Sequence, residues 1–299
     1  MEVVEISKKL YNSLYKLKLN NKIYNTEAEI FVIPEKEKWE KHQKILKKLY
    51  MDQGAIFGNK LLTVNALIDN KDLINIPEMI LPEKIAVYNH EIIGFTLDYI
   101  KNVNFSLMLS DPKIDDDLKK NLLIEAGIIL EKMKKLRNSG ILTDFYLNDI
   151  HEGNFIYNLE TKHLNVVDVD SASIGGNKPF SAKYLTCYSP VATMPFKYKV
   201  NHFDSPGYIT PDDNSDIYCY NVMVLNYLFN DKITVLDTRE FCLYLNYLRS
   251  LGYDYDILDV FYKMYESGAN ESIAPYIDKL PKDLKTLTLS RRQFFDKTL

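Results

Sequence analysis

Apolar residues alternate over short runs through the first hundred positions and then recur every three or four positions, so the chain predicts strands first and helices afterwards. Residues 1–18, with Val4, Leu10, Leu14 and Leu17 as apolar points, predict a short amphipathic helix. Glu29-Ile30-Phe31-Val32-Ile33 reads as a strand stopped by Pro34, and Ile45-Leu46-Lys47-Lys48-Leu49-Tyr50 as another. The polar run 35–44 between them is a turn or an exposed insertion. Leu61, Leu62, Val64, Leu67 and Ile68 give residues 59–68 a helical spacing. Residues 84–88 and 92–99 then predict two strands, with Asn89-His90-Glu91 as a hairpin turn that lacks an Asn-Gly or Asp-Gly signature.

The remainder is helical. Leu118, Leu122, Ala126, Ile129, Leu130, Met133 and Leu136 form one stripe over residues 115–137. Asp115, Asp116 and Asp117 sit at the start of this segment and Lys132, Lys134, Lys135 and Arg137 near its end, matching the helix dipole. Asn138-Ser139-Gly140 supplies a stop, and further helices are expected over 217–229, 238–251 and 254–266. This order predicts an α+β chain of two unequal lobes: a strand-rich N-lobe over 1–100 with an N-terminal helical extension, and a helical C-lobe over 101–299.

Composition narrows the classes. Among 299 residues, 37 Lys and Arg stand against 41 Asp and Glu, a net charge of −4, so no overall basic footprint for nucleic acid is present and no nucleic-acid partner is expected. Cys187, Cys219 and Cys242 are widely spaced and odd in number, which suits a reducing compartment better than a disulfide framework or thiolate metal site. The start lacks the apolar stretch of a secretion signal, and no run approaches the length of a membrane span. A cytoplasmic location is therefore expected.

The chemistry concentrates in Leu147-Asn148-Asp149-Ile150-His151-Glu152-Gly153-Asn154 and in the later Asp168-Val169-Asp170. Two short apolar runs, 155–157 and 164–167, lie between them as a hairpin that returns Asp168 towards the loop holding Asp149 and Asn154. A carboxylate that takes a proton from a hydroxyl, beside an amide oxygen and a second carboxylate able to ligate Mg²⁺, is a set suited to phosphoryl transfer. Asp149 is the candidate base, and Asn154 and Asp168 are the candidate metal ligands. Taken alone, Asp149 and Asn154 could be ordinary turn residues, since Asx-rich loops are common.

An Asp followed five positions later by Asn, then by a hairpin and a strand ending in Asp, resembles the protein-kinase-like superfamily; Asp149, Asn154 and Asp168 match. His151 within this loop is more similar to the aminoglycoside- and choline-kinase-like branches and to atypical bacterial kinases. Asp216, opening an apolar helix, resembles the family's structural Asp, which would orient the catalytic-loop backbone from below. The run 93–100 resembles the strand leading into the interlobe hinge, where Asp98, Tyr99 and Ile100 would meet adenine. The resemblance implies ATP and Mg²⁺ as cofactors. It also implies transfer to a hydroxyl of a protein or small molecule, with protein Ser/Thr as the preferred acceptor, and leaves a nucleotide-binding pseudokinase scaffold as the rival.

The chain departs from that pattern in several places. The loop expected over phosphate, residues 24–30, contains no glycine, and Ala28 stands where a small residue would pack over adenine. Alternation allows only one of Lys47 and Lys48 to face phosphate, and Lys48 is favoured narrowly. The following helix offers no Glu to orient that lysine, leaving Glu27, Glu29 and Glu78 as candidates. Leu147-Asn148 replaces the usual His-Arg, and Asp168-Val169-Asp170 replaces Asp-Phe-Gly. His151 is expected to brace the loop, Cys219 to fill core space, and Asp170 to add charge near the metal or to be structural.

Overall fold

The computed structural model describes residues 2–16, 28–34, 43–51, 54–177, 203–204, 208–209, 213–229, 238–267, 271–280 and 293–295. Cys187, Glu27 and most of the expected phosphate-covering turn and polar insertion lie outside them. Strands β1 (Val3–Glu5), β2 (Tyr15–Lys16), β3 (Ala28–Val32), β4 (Lys44–Leu49), β5 (Lys84–Tyr88) and β6 (Glu91–Asp98) form one sheet in the order β1-β5-β6-β4-β3-β2. Only β1 runs parallel to its neighbour; the other pairs are antiparallel.

The expected N-terminal helix is corrected to strand, helix and strand, with α1 confined to Lys8–Ser13. Consecutive β-branched Val3 and Val4 favour pairing with β5, and the Ser7 side chain accepts a hydrogen bond from the Leu10 N–H, fixing the helix start beyond them. The apolar points foreseen for one helix therefore reach a shared core from two elements, with Ile6 and Leu10 buried and Val4 packed beside them.

The two faces of the sheet bury different clusters. Ile6, Leu10, Ile33, Leu46, Ala86 and Ile93 gather on the α1 side. On the other face Ala28, Leu49, Ile85, Phe95 and Leu97 pack with Val64 of α2 (Ala55–Asp69). Strand periodicity then assigns the lysines, because Lys47 shares the face of Ile45 and Leu49 while Lys48 shares that of Leu46. The β5–β6 turn has φ of 51° at Asn89 and 67° at His90, the positive-φ pair that two-residue hairpins favour. Asn and His are among the non-glycine residues that enter this region most readily, so the hairpin forms without Asn-Gly.

After β6 the chain passes through β7 (Asn102–Asn104), α4 (Phe105–Ser110), α5 (Asp116–Asn138), β8 (Phe155–Asn158) and β9 (Leu164–Val166), with β7-β8-β9 forming a small sheet. The short helix α3 (Lys71–Ile74) follows α2. Helices α6 (Asp213–Phe229), α7 (Thr238–Ser250) and α8 (Tyr255–Ser267) pack with α5 around the main core, and a small pairing joins β10 (Phe203–Asp204) to β11 (Tyr208–Ile209). Helix α5 begins at its Asp115 cap, which accepts from the Asp117 N–H, and buries Leu122, Ala126, Ile129, Leu130 and Met133. A strap couples the strand-rich part to the helical part: Val166 N–H donates to Glu78 O at 2.8 Å and Ile80 N–H to Val166 O at 2.9 Å. The architecture is α+β and bilobal in the kinase-like manner, strand-rich first and largely helical afterwards.

Gly94 of β6 sits where a Cβ would collide with the Lys47 backbone carbonyl, so only glycine lets β6 lie this close to β4. Gly94→Ala is expected to destabilise the fold by about 3 kcal/mol in urea unfolding, because close-packed backbone has nowhere to move.

Candidate functional site

A buried carboxylate sets the loop. Asp216, inside α6, accepts hydrogen bonds from the backbone N–H groups of Leu147 and Asn148, each at 3.0 Å. Arg137 at the end of α5 donates to Phe145 O at 2.9 Å and lies over the Tyr146 ring. Leu147 and Ile150 are buried in the main core, holding half-buried Asp149 between two apolar anchors. Leu147 thus fills core space beneath the loop. Asn148 adopts a positive φ of 64° that Asn tolerates, and its amide donates to Ser171 O at 3.2 Å and Ser173 Oγ at 3.0 Å.

Asn154 closes the loop on itself. Its side-chain amide donates to Asp149 O at 2.8 Å, and its own carbonyl accepts from the Val167 N–H at 2.9 Å, which ties the Asp149–Asn154 loop to the residue before Asp168. His151 Nδ1 accepts from the Gly153 N–H at 3.1 Å, while its Nε2 lies 3.6 Å from Asp149 Oδ1. That geometry is a brace. A Cβ on Gly153 would stand 2.7 Å from His151 Cε1, so the ring's seat requires glycine there.

Charge gathers where β4, α2 and the turn after β9 meet. Lys47 Nζ donates to Asp168 Oδ1 and, at 2.7 Å, to Asp170 Oδ1; Lys60 of α2 donates to Asp170 Oδ2 at 2.9 Å. Lys48 points to the opposite face and donates to the Tyr11 hydroxyl at 3.1 Å, so the narrow preference for Lys48 is corrected by the parity of β4. None of the described acidic candidates for orienting the lysine reaches it: Glu78 pairs with Lys132 and Glu29 with Lys16. The carboxylates that Lys47 meets are those of Asp168 and Asp170. The Asp170 side chain is 1% exposed and bonded by both lysines, whereas Asp168 keeps 43% of its side chain exposed and adopts φ 62°. Burial opposes the charged form of Asp170, but Lys47 and Lys60 outweigh it and hold its carboxyl well below the usual carboxylate range. Burial likewise works against the Lys47 cation, and Asp168 and Asp170 overcome it and raise its pKa.

The missed residue is Lys60. A signal existed, since Lys60 stands four and seven positions before Val64 and Leu67 on the buried stripe of α2, where a lysine demands a partner.

The expected hinge residues fall at the end of β6 and just beyond it. Ile100 and Val167 both pack against the hydrophobic group that buries Ala28. Tyr99 N–H donates to Gln43 O at 2.9 Å, and Ile100 O accepts from the Asn102 side chain at 2.6 Å, so these two backbone groups already have partners. Asp98 is drawn into a network: Lys44 contacts Asp98 at 2.5 Å and Glu83 at 2.6 Å, and Glu83 also meets Lys71 at 3.0 Å.

Asn154 and Asp168 could together present two hard oxygens to a divalent cation. Among the described residues no group of three or more His, Cys, Asp or Glu could hold an ion alone. The donor chemistry suits Mg²⁺, which needs few protein ligands when phosphate and water complete its shell. None of the helices among the described residues is long and apolar enough to cross a membrane.

No protein-family model matches the chain, and no curated protein does. Among solved structures it is distantly similar to the Cydia pomonella granulovirus kinase PK-1, with 16% identity and a TM-score of 0.46 over 75% of this chain and 73% of that one. It is also distantly similar to the pseudokinase DRIK1 (drought responsive inactive kinase 1) bound to ENMD-2076, with 9% identity and a TM-score of 0.45 over 76% of this chain and 70% of that one.

Asp216→Ala leaves two buried N–H groups without their acceptor and is expected to cost about 3 kcal/mol of stability in chemical denaturation. Glu83 gives a pH dependence. Burial raises its pKa, but hydrogen bonds from Lys44 and Lys71 outweigh this and lower it below the ordinary 4.5. A depressed carboxylate contributes stability that is present above its unfolded pKa and lost as pH falls through the folded one. Wild-type stability is therefore expected to fall more steeply than that of Glu83→Gln below pH 4.5, read from thermal melts across an acid series.

Proposed function

We propose that the chain is an ATP-dependent phosphotransferase of the protein-kinase-like superfamily, acting on a hydroxyl with protein Ser/Thr as the acceptor class. The reading rests on one convergence: a loop fixed by Asp216 carries Asp149 and Asn154 beside Asp168, and Lys47 reaches Asp168 from the sheet. A nucleotide would lie between a strand-rich lobe ending near residue 100 and the helical lobe after it, with Ala28 and residues 98–100 on the adenine side. A reducing, cytoplasmic setting accords with the cysteine usage.

Each residue has a task in that reading. Asp149 orients the acceptor hydroxyl and takes its proton, with His151 keeping the carboxylate in place. Lys47 offers its ammonium to the phosphates, having been held nearby by Asp170. Asn154 and Asp168 would hold Mg²⁺, which when bound would offset phosphate charge. Asn154 can serve because its amide nitrogen is already spent on Asp149 O, leaving the oxygen as the ligand atom.

One observation favours a second reading, a nucleotide-binding pseudokinase scaffold. Helix α2 presents Lys60 rather than a carboxylate towards the sheet lysine, so the usual polarity of that tie is reversed. The His151 loop also keeps small-molecule hydroxyls, of the aminoglycoside- or choline-kinase kind, as acceptors to screen.

Labelled ATP and Mg²⁺ incubated with the purified chain and panels of protein and small-molecule acceptors separate these readings. Asp149→Ala is expected to lower turnover by about 100-fold or more, as loss of a general base does. Lys47→Met should impair turnover strongly, whereas Lys48→Met, on the far face of β4, should leave it within about twofold. Turnover that Asp149→Ala leaves untouched would sink the phosphotransferase. Nucleotide binding without turnover would instead favour the scaffold.

A further inference from the structure

Asp170 receives Lys47 on one carboxylate oxygen and Lys60 on the other, at 2.7 and 2.9 Å. The three side chains come from separate elements: Lys47 from β4, Lys60 from α2, and Asp170 from the short turn at Val169–Ser171. Helix α2 touches that turn a second time one turn later, where Thr63 Oγ1 donates to Ala172 O at 3.4 Å. Lys60 and Thr63, three positions apart, therefore line one face of α2 against the segment that follows Asp168.

Charge accounting gives Lys60 a task. Asp168 and Asp170 bring two negative charges and Lys47 and Lys60 two positive ones, so the cluster is neutral as it stands. Asp170 is buried away from water, and its charge is met by these two protein cations. With Lys60 present, half of that demand is met from the helix, and the Lys47 ammonium is shared less tightly. Without it, Lys47 alone would neutralise both carboxylates and would be pinned to them. A pinned ammonium has less attraction left for an arriving phosphate.

We infer that Lys60 is the positioning residue for the phosphate-facing lysine, acting through Asp170 so that Lys47 can be shared with nucleotide phosphate while α2 stays docked on the turn after Asp168. The inference rests on the proposed nucleotide site. It assigns the place normally filled by a helix carboxylate to a carboxylate two residues beyond the metal ligand, with the helix contributing the counter-cation instead. Exchange of the two signs keeps the same three elements tied together.

Binding of Mg·ATP and of adenosine to the full chain, measured by calorimetry, tests this. Lys60→Met is expected to weaken Mg·ATP about tenfold and to leave adenosine unchanged, because the effect is on phosphate alone. Lys60→Arg, which preserves charge and reach, should bind both ligands as wild type does and keeps the test open should Lys60→Met fold poorly. In an Asp170→Asn background the same Lys60→Met change should cost less than about twofold, since the demand it met has gone. An equal loss of adenosine and Mg·ATP, or an equal cost of Lys60→Met with and without Asp170, would overturn the role. A wild-type chain that binds adenosine but shows no gain from the phosphates and Mg²⁺ would overturn it as well. Binding of neither ligand by wild type would bring down the nucleotide site itself, a result separate from these.

Discussion

A fully buried carboxylate needs hydrogen-bond donors or cations to meet it, and Asp170 draws one ammonium from the sheet and one from α2. That requirement fixes three elements at once. Strand β4 must present Lys47 on the face that carries Ile45 and Leu49, α2 must turn Lys60 inward along with Val64, and the turn after β9 must bring Asp170 between them. Gly94 supports the arrangement from the neighbouring strand by letting β6 approach the Lys47 backbone, so the position of one ammonium depends on a glycine that never touches it.

The second fixed point is the Asp149–Asn154 loop, whose shape is determined from beneath. Asp216 takes two N–H groups, Arg137 takes a carbonyl, and Leu147 and Ile150 are sunk in the core. Polar groups and apolar anchors alternate along the loop, so the backbone on either side of Asp149 is fixed from both directions. The Val167 N–H bond to Asn154 O then transmits this placement to Asp168. Three residues from two loops are thereby referred to one frame.

Much of this was readable from the sequence because it follows from local periodicity. Alternation marked β3 to β6, the three-to-four spacing marked α5 to within a residue or two at each end, and the apolar runs around residues 158–163 marked the β8–β9 hairpin. Asp216 was legible through its helix. What escaped depended on contacts remote in sequence. The strand–helix–strand start looked like one helix because Leu10, Leu14 and Leu17 recur at steps of four and three, yet pairing of residues 3–5 with β5 decided the matter. The parity of β4 left Lys47 and Lys48 nearly balanced, and only the positions of α1 and α2 on opposite faces break the tie. Lys60 escaped notice in the sequence because its partner acid, Asp170, lies 110 residues away on the turn after β9.

The parallel pairing of β1 with β5 carries a further consequence. Without β1, β5 would be the outermost strand, five residues long with an open row of amide groups ready to template another chain. The three residues of β1 occupy that row and, being short and flanked by Glu2, offer a poor template in turn. Residues 3–5 thus shield β5 from edge-to-edge pairing with another chain.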